Sequence, residues 1–330
     1  MSRALSRRAL TLATALLMSI TAQAQQPGAG SDFVQVPGVY RQLDGALQVT
    51  ALFDGVAFLP ARQLKDIDLA RAEGWLGAAH VPHTPKGVQT AVNAYLEQPA
   101  GELVLVDAGT AGCFGPSLGQ VLGNLRAAGV RPEDVHHVLL THAHPDHLCG
   151  LLTAEGQVAY PNATVWLSAA DAAYWLDTAT RGQMPEPMRP LFDMARQAVA
   201  PYQAAGRFKA FGPGDALPAG AERVDSPGHT PGHTSWLFRG SAGQAPLLAS
   251  GDVVPYHAGQ LRHPTASFEY DSDRRQAVAS RQRLLARAAD QGWWVAGAHL
   301  PFPGIGHVRR EGRAGYAWVP AEFGPARVAP

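Results

Sequence analysis

Residues 138–150 read Val-Leu-Leu-Thr-His-Ala-His-Pro-Asp-His-Leu-Cys-Gly, which places His142, His144, Asp146 and His147 within six positions, just behind three apolar residues. The apolar run has the character of the end of a buried strand, and Pro145 marks the loop that follows. Imidazole and carboxylate at this density are the ligands of a divalent cation such as zinc, and a strand end holds them with little ordering cost on binding. The bland alternative is a polar loop whose histidines only face water. Four ligand-type side chains in six residues, framed by a strand, argue against it. Cys149, two positions beyond His147, could serve as ligand or nucleophile, but a small buried residue is the commoner role.

The second half of the chain repeats the pattern. Residues 224–226 run into Pro227-Gly228-His229-Thr230-Pro231-Gly232-His233, an apolar strand at 246–250 ends in Gly251-Asp252, and residues 293–296 lead to His299. Three apolar strands thus end in a histidine or an aspartate. Ligands gathered at the same ends of neighbouring strands converge on one cleft.

The elements that must position these residues are legible in outline. Strands are expected at 40–43 and 46–50 about the hairpin signal Asp44-Gly45, with 51–53 continuing to a second Asp-Gly pair at Asp54-Gly55. Residues 61–83 show no clean period and suggest a loop with a short helix. Strands follow at 88–97 and 103–106, the latter ending in Asp107-Ala108-Gly109-Thr110, a turn able to position a functional loop. Leu118, Val121, Leu122 and Leu125 follow the helical period between a candidate cap, Ser117, and a stop, Gly129. The remaining expectations are strands at 135–140, 164–167 and 235–238, a helix at 168–176 capped by Ser168, a Pro-punctuated helical stretch at 183–205, and a long helix at 273–291.

Composition bounds the class of protein. With 330 residues, 46% hydrophobic and 16% charged, the chain can bury a large core. Arg3, Arg7 and Arg8 precede an apolar run at 9–20 and the small residues Ala22-Gln23-Ala24, the layout of a secretory signal peptide with a mature start near Gln25. The run is too short for a membrane span, and Ser6-Arg7-Arg8 leaves twin-arginine export open beside the general route. Without residues 1–24 the chain carries 24 basic and 27 acidic residues, and only Lys65, Lys86 and Lys209 are lysines. Nucleic acid is therefore not an expected partner, since binding a phosphate backbone needs clustered cations. Cys113 and Cys149 could pair in an exported protein, but their pairing is not readable from the sequence.

The ordered set His142-x-His144-x-Asp146-His147, Gly228-His229-Thr230-Pro231-Gly232-His233, Gly251-Asp252 and His299 resembles the metallo-β-lactamase superfamily. Asp107-Ala108-Gly109-Thr110, Phe114-Gly115-Pro116 and residues 298–307 are similar to the methyl parathion hydrolases within it and, more distantly, to N-acyl homoserine lactonases. The resemblance implies an α/β fold, an αββα sandwich of two mixed sheets flanked by helices, as a single domain over 25–330. It implies two divalent metal ions, zinc first among them. His142, His144 and His229 would hold one, Asp146, His147 and His299 the other, and Asp252 would bridge them, leaving His233 a supporting role. The other histidines (80, 83, 136, 137, 257, 263 and 307) are expected at the surface or in hydrogen bonds, His257 and His263 being nearest the cleft.

Two cations a few ångströms apart would acidify a water held between them and polarise an ester, lactone or phosphoryl oxygen, with Asp146 and Asp252 as the catalytic carboxylates. The expected substrates are small apolar esters, lactones or phosphotriesters, and Phe114, Trp175, Phe192 and Phe268 are candidate walls of an apolar pocket. The oligomeric state is open, a homodimer included. Departures from the resemblance narrow the activity. A bridging aspartate at Asp252 is foreign to true β-lactamases, and the Asp-x-x-Tyr of the lactonases is missing because Tyr256 stands one residue too far on. Cys149 stands where relatives commonly carry glycine. The alternatives are a β-lactam hydrolase and, from another class, a metal-binding protein without catalysis, for which a bridging carboxylate has no purpose.

Overall fold

The computed structural model describes residues 35–44, 47–218 and 220–324. The expected signal peptide and the Gly45-Ala46 turn lie outside them. Residues from Pro37 onward form one compact unit. Its strands are β1 (Val39–Asp44), β2 (Leu47–Leu59), β3 (Leu64–Lys65), β4 (His83–Thr84), β5 (Gly87–Glu97), β6 (Val104–Val106), β7 (His137–Leu139), β8 (Thr164–Ser168) and β9 (Phe208–Phe211), followed by β10 (Ala221–Asp225), β11 (Thr234–Phe238), β12 (Leu247–Gly251), β13 (Ser267–Phe268), β14 (Trp294–Gly297), β15 (Ile305–Glu311) and β16 (Gly315–Pro320). The helices are α1 (Leu69–Ala78), α2 (Val121–Ala127), α3 (Pro145–Leu148), α4 (Ala169–Trp175), α5 (Thr178–Gln183), α6 (Arg189–Ala204), α7 (His257–Gln260) and α8 (Arg274–Gln291).

One sheet runs β1-β2-β5-β6-β7-β8-β9 with β4 beside β5, and the other runs β10-β11-β12-β14-β15-β16. Both are mixed: β6 to β9 pair in parallel, as do β12 and β14, while the other neighbours are antiparallel. Alternation along the strands builds three apolar layers. Val104, Val106 and Leu139 of the first sheet meet Trp236, Ala249, Ala296 and Ile305 of the second in the layer between the sheets. Their neighbours Leu105 and Val138 face outward onto α2, α4 and α6 through Leu125, Trp175, Phe192 and Val199. Leu237, Leu248 and Val295 face the other way, onto Leu284, Leu285 and Ala288 of α8. This is the αββα sandwich. No helix of the described residues is long and apolar enough to cross a membrane.

Two local expectations fail for one reason. Asp54-Gly55 is not a turn, because β2 runs through it with an irregularity in its pairing to β5 between Phe53 and Gly55. The helix expected from Ser117 starts only at Val121, and Ser117 does not cap it. A buried Asp54 carboxylate explains both. It accepts hydrogen bonds from the Val121 N–H (3.2 Å) and from the N–H and hydroxyl of Thr110 (3.1 and 2.6 Å), so α2 is capped from a distant strand instead of from its own sequence. Gly109 is required beside it: its φ is +76°, and a Cβ there would lie 2.5 Å from Asp54 Oδ1. Ser168 and Asp273 do cap α4 and α8, accepting from the N–H groups of Asp171 and Gln276. Cys113 and Cys149 form a disulfide, which removes Cys149 as a ligand or nucleophile.

Replacing Asp54 with alanine strands three donors at once, and denaturant unfolding should show a loss of about 2–4 kcal/mol. Asp54→Asn, which keeps one acceptor oxygen, should lose less. Equal midpoints for wild type and Asp54→Ala would contradict this role.

Candidate metal centre

Four chain segments meet at the edge where the two sheets come together. Beyond β7, the loop supplies His142 and His144, and Pro145 opens α3, which carries Asp146 and His147. The β10–β11 loop supplies His229, the end of β12 Asp252, and the turn after β14 His299. All are buried except Asp146, which is half-buried.

The ligand-type atoms fall into two groups, one of His142, His144, His229 and Asp252, the other of Asp146, His147 and His299. In the first, His144 Nδ1 lies 2.9 Å from His142 Nε2 and 3.0 Å from His229 Nε2. In the second, Asp146 Oδ2 lies 3.3 Å from His299 Nε2 and 3.5 Å from His147 Nε2. Asp252 faces both. Its Oδ2 is 3.2 Å from His229 Nε2, and its Oδ1 is 3.2 Å from the Nε2 atoms of both His147 and His299. His147 Nε2 and Asp252 Oδ1 are nevertheless buried with no hydrogen-bond partner. Buried polar atoms left in that state fit a site shaped for cations, because a cation satisfies lone pairs that protons cannot all satisfy.

The opposite ring nitrogens are fixed. His147 Nδ1 pairs with Asp107 at 2.8 Å, His229 Nδ1 with Asp271 at 2.8 Å, and His299 Nδ1 donates to the Ala91 carbonyl at 2.8 Å. Thr141 donates its hydroxyl proton to Asp107 (2.9 Å) and so accepts from His142 Nδ1 (3.0 Å), leaving His142 Nε2 with a free lone pair. One carboxylate, Asp107, thereby orients a histidine of each group. It sits at φ +59°, a left-handed conformation that aspartate tolerates better than most residues.

Electrostatics within the cluster divide the histidines. Burial and the neighbouring His229 push His144 down to about 3, and burial with His147 and His144 holds His142 well below its usual range. Burial opposes charge on His229 and His299 as well, but Asp252, helped by Asp271 at the first and Asp146 at the second, lifts them to about 9 and about 10. Asp252 stays ionised well below the carboxylate range: burial works against this, and His299 and His147 outweigh it.

The other residues singled out from the sequence sort clearly. His233 lies outside both groups; its Nε2 accepts the Asp252 backbone N–H at 2.9 Å and its Nδ1 pairs with Ser226, so its place is a supporting one. A cavity of about 430 Å³ opens onto His144, Asp146, His229, Asp252 and His299, and Phe114 and Phe268 line it. Trp175 and Phe192 do not. Both are buried in the α4–α6 layer, where the Trp175 ring packs edge-on against His144 (4.9 Å) and beside Phe192 (4.4 Å), so they brace a ligand from behind. Leu191, one residue earlier on α6, takes the cavity position. His257 and His263 do not line the cavity either; His257 is held down to about 4 by burial in α7, and His263 packs near Trp75.

Asp171, Asp271, Asn93 and Tyr95 went unrecognised in the sequence. Asp171, raised to about 6 by burial, accepts from the Ala143 and Gly232 N–H groups and the Thr230 hydroxyl, clamping the two histidine loops together. Asn93 and Tyr95 of β5 donate to the Gly297 carbonyl and fix the turn that carries His299. None of these lies in a ligand motif.

The model of the metallo-β-lactamase superfamily matches residues 87–299. Among solved structures, the hydrolase AbOPH of the β-lactamase superfamily is 39% identical, with a TM-score of 0.83 over 88% of this chain and 100% of that one. AidC, a dizinc quorum-quenching lactonase, shares the fold at 24% identity, with a TM-score of 0.76 over 87% of this chain and 98% of that one. The uncharacterized protein YobT of Bacillus subtilis (strain 168) is 30% identical over 205 residues, 60% of this chain and 79% of YobT. The matched span holds every strand end that carries a histidine or aspartate of the two groups, and the chain belongs to the metallo-β-lactamase superfamily as a metal-dependent hydrolase.

Proposed function

We propose that this protein is an exported dinuclear hydrolase that holds two divalent cations, zinc by preference, and cleaves small apolar esters, lactones or phosphotriesters. The observation that carries the reading is Asp252, whose two oxygens each face one ligand group at 3.2 Å. A carboxylate so placed offsets the repulsion between two cations, which a single-metal site does not need. When bound, the cations supply Lewis-acid polarisation and an acidified water. The remaining work belongs to the chain. Phe114, Leu191 and Phe268 exclude solvent around an apolar substrate, while Asp107 and Asp271 hold the imidazoles in one tautomer. Asp146 is the least buried of the ligand-type carboxylates and faces the cavity, where it can take the proton of the attacking water and pass it to the departing alcohol or phenol.

Lactones are supported by the likeness to AidC and to other N-acyl homoserine lactone hydrolases, and esters and phosphotriesters by the apolar walls. Tyr256 offers lactones no assistance, because its hydroxyl donates to the Leu59 carbonyl (3.3 Å) and it does not line the cavity. A disulfide between Cys113 and Cys149 supports export to an oxidising compartment. Turnover should be compared across aryl esters, lactones and aryl phosphotriesters, with a chromogenic β-lactam alongside. Cleavage of the β-lactam and of nothing else would overturn the substrate reading, and no turnover with two cations bound would overturn catalysis.

Asp252→Ala should reduce the metal content from two to one or fewer per chain and cost at least about a hundredfold in kcat. His233→Ala should keep both metals and lose far less, since it removes the acceptor for the Asp252 N–H and the partner of Ser226 but no ligand. Elemental analysis beside ester turnover decides the matter, and an Asp252→Ala protein with two metals and normal turnover would refute the bridging role.

The raised histidines give a pH dependence of known sign. Pairing of His229 and His299 with carboxylates stabilises the metal-free protein fully below their ordinary value of 6.5, and this is lost as pH rises through about 9 and about 10. The Tm of metal-free protein should therefore fall between about pH 8 and about pH 10 while that of the zinc-loaded protein holds. Zinc binding at about pH 7 should release about three protons per chain, from His147, His229 and His299, read by titration calorimetry in buffers of different ionisation enthalpy. Binding without proton release would contradict this charge arrangement.

A further inference from the structure

The disulfide joins two segments of unequal rigidity. Cys149 follows directly on α3, which carries Asp146 and His147, and is buried at 4% exposure. Its surroundings are fixed by backbone bonds: the Ala108 N–H donates to the His147 carbonyl (2.7 Å), and the Gly150 N–H to the Gly109 carbonyl (2.8 Å). Packing there is close enough that a Cβ on Gly150 would lie 1.9 Å from the Ala108 carbonyl oxygen. Cys113 belongs instead to residues 111–120, which have neither strand nor helix. That stretch is mostly exposed and contains Ala111 at φ +42° and Gly115 at φ +88°. Its backbone bonds lie on either side of Phe114: the Cys113 N–H donates to Thr110 at 3.0 Å and the Leu118 N–H to Gly115 at 3.4 Å, while the Ser117 carbonyl accepts from Val56 and the Gln120 N–H donates to Asp54, both at 3.1 Å.

Phe114 stands next to Cys113, is 44% exposed, and lines the cavity above Asp146 and His299. An aromatic side chain on an irregular loop would ordinarily sample many positions, and ordering it on binding would cost affinity. We propose that the Cys113–Cys149 bond is a specificity device that holds Phe114 as a preformed wall of the substrate cavity, at a set distance from the ligand helix. The sulfur of Cys149 therefore acts on substrate binding through Phe114, with no contact to substrate or cation. This inference rests on the cavity being the substrate site, as proposed above.

A cycle of variants in the full-length, zinc-loaded protein tests it, with KM and kcat for an aryl ester and metal content as readouts. Cys113→Ala, Cys149→Ala and the double variant break the same bond, so all three should raise KM about fivefold, the scale of one lost aromatic contact, with kcat within about twofold and metal content unchanged. Phe114→Ala with the disulfide intact should raise KM by a similar factor, and adding it to the double cysteine variant should raise KM little further. Unchanged KM in the cysteine variants, or fully additive effects of Phe114→Ala and disulfide loss, would overturn the proposal. So would a fall in metal content that accounts for the lost activity. Should the cysteine variants fail to fold, Phe114→Ala alone decides, since an unaltered KM there removes the wall the tether is said to hold. Failure of the functional reading looks different: wild type itself would turn over no ester.

Discussion

Five imidazoles and two carboxylates lie within hydrogen-bond or ion-pair reach of one another in a buried site. Burying so many ionisable groups is unfavourable unless their charges are matched, because desolvation penalises each charged form and like-charged neighbours add to the penalty. The directions of the shifts show how the cluster divides the load. His142 and His144 are driven neutral, His147, His229 and His299 are held protonated, and Asp252 stays ionised among them. Protons on these rings occupy the positions that cations would take. A site under this constraint suits divalent metal, since one cation answers several lone pairs at once.

That cluster is tolerable only where the surrounding backbone does not move. The two sheets approach each other at the site and are tied by polar groups that are themselves buried. Thr234 of β11 donates to the Thr141 carbonyl beyond β7, and the Asn93 N–H of β5 donates to the Ala298 carbonyl beside His299. Asp171 spans the two histidine loops, and Asp107 spans the two ligand groups. Asp107 and Asp171 each accept from more than one segment. Removing either carboxylate leaves several partners unsatisfied, so the site and the sheet junction are stabilised by the same bonds.

Apolar layers set where solvent and substrate can reach. The layer between the sheets and the helix layers outside them close the cluster from below and behind, with Trp175 packed against His144 and Phe192 against Trp175. The open side is the cavity, whose aromatic lining comes from Phe58 of β2, Phe114 of an irregular loop, Phe268 of β13 and Tyr270 just beyond it. Phe114 is next to a disulfide-bonded cysteine, while β2 and β5 supply Val56, Thr90 and Val92 to the floor. Pocket shape in this protein therefore depends both on the sandwich and on the irregular segments that rise beside it.

The candidate ligands were legible in the sequence because their pattern is local: His142, His144, Asp146 and His147 share six positions, His229 lies in a Gly-His-Thr-Pro-Gly-His run, and Asp252 and His299 each follow an apolar strand. The sandwich was legible only through the resemblance that those motifs carry, since no single strand's pattern says which strands become neighbours. What the sequence could not reveal was contact between distant segments. Asp54 caps a helix 67 residues away, and Asp271 orients a histidine 42 residues away, neither with a neighbouring motif to mark it. Trp175 and Phe192 have the composition of pocket walls, yet the rotation of α4 and α6 on the sheet turned them into the core and gave the cavity to Leu191. The pairing of Cys113 with Cys149 likewise required the loop after β6 to pass over α3. Ligand identity is written in residue type and spacing; what holds each ligand, and what faces the substrate, was decided by which segments the tertiary fold brings within about 3 Å of each other.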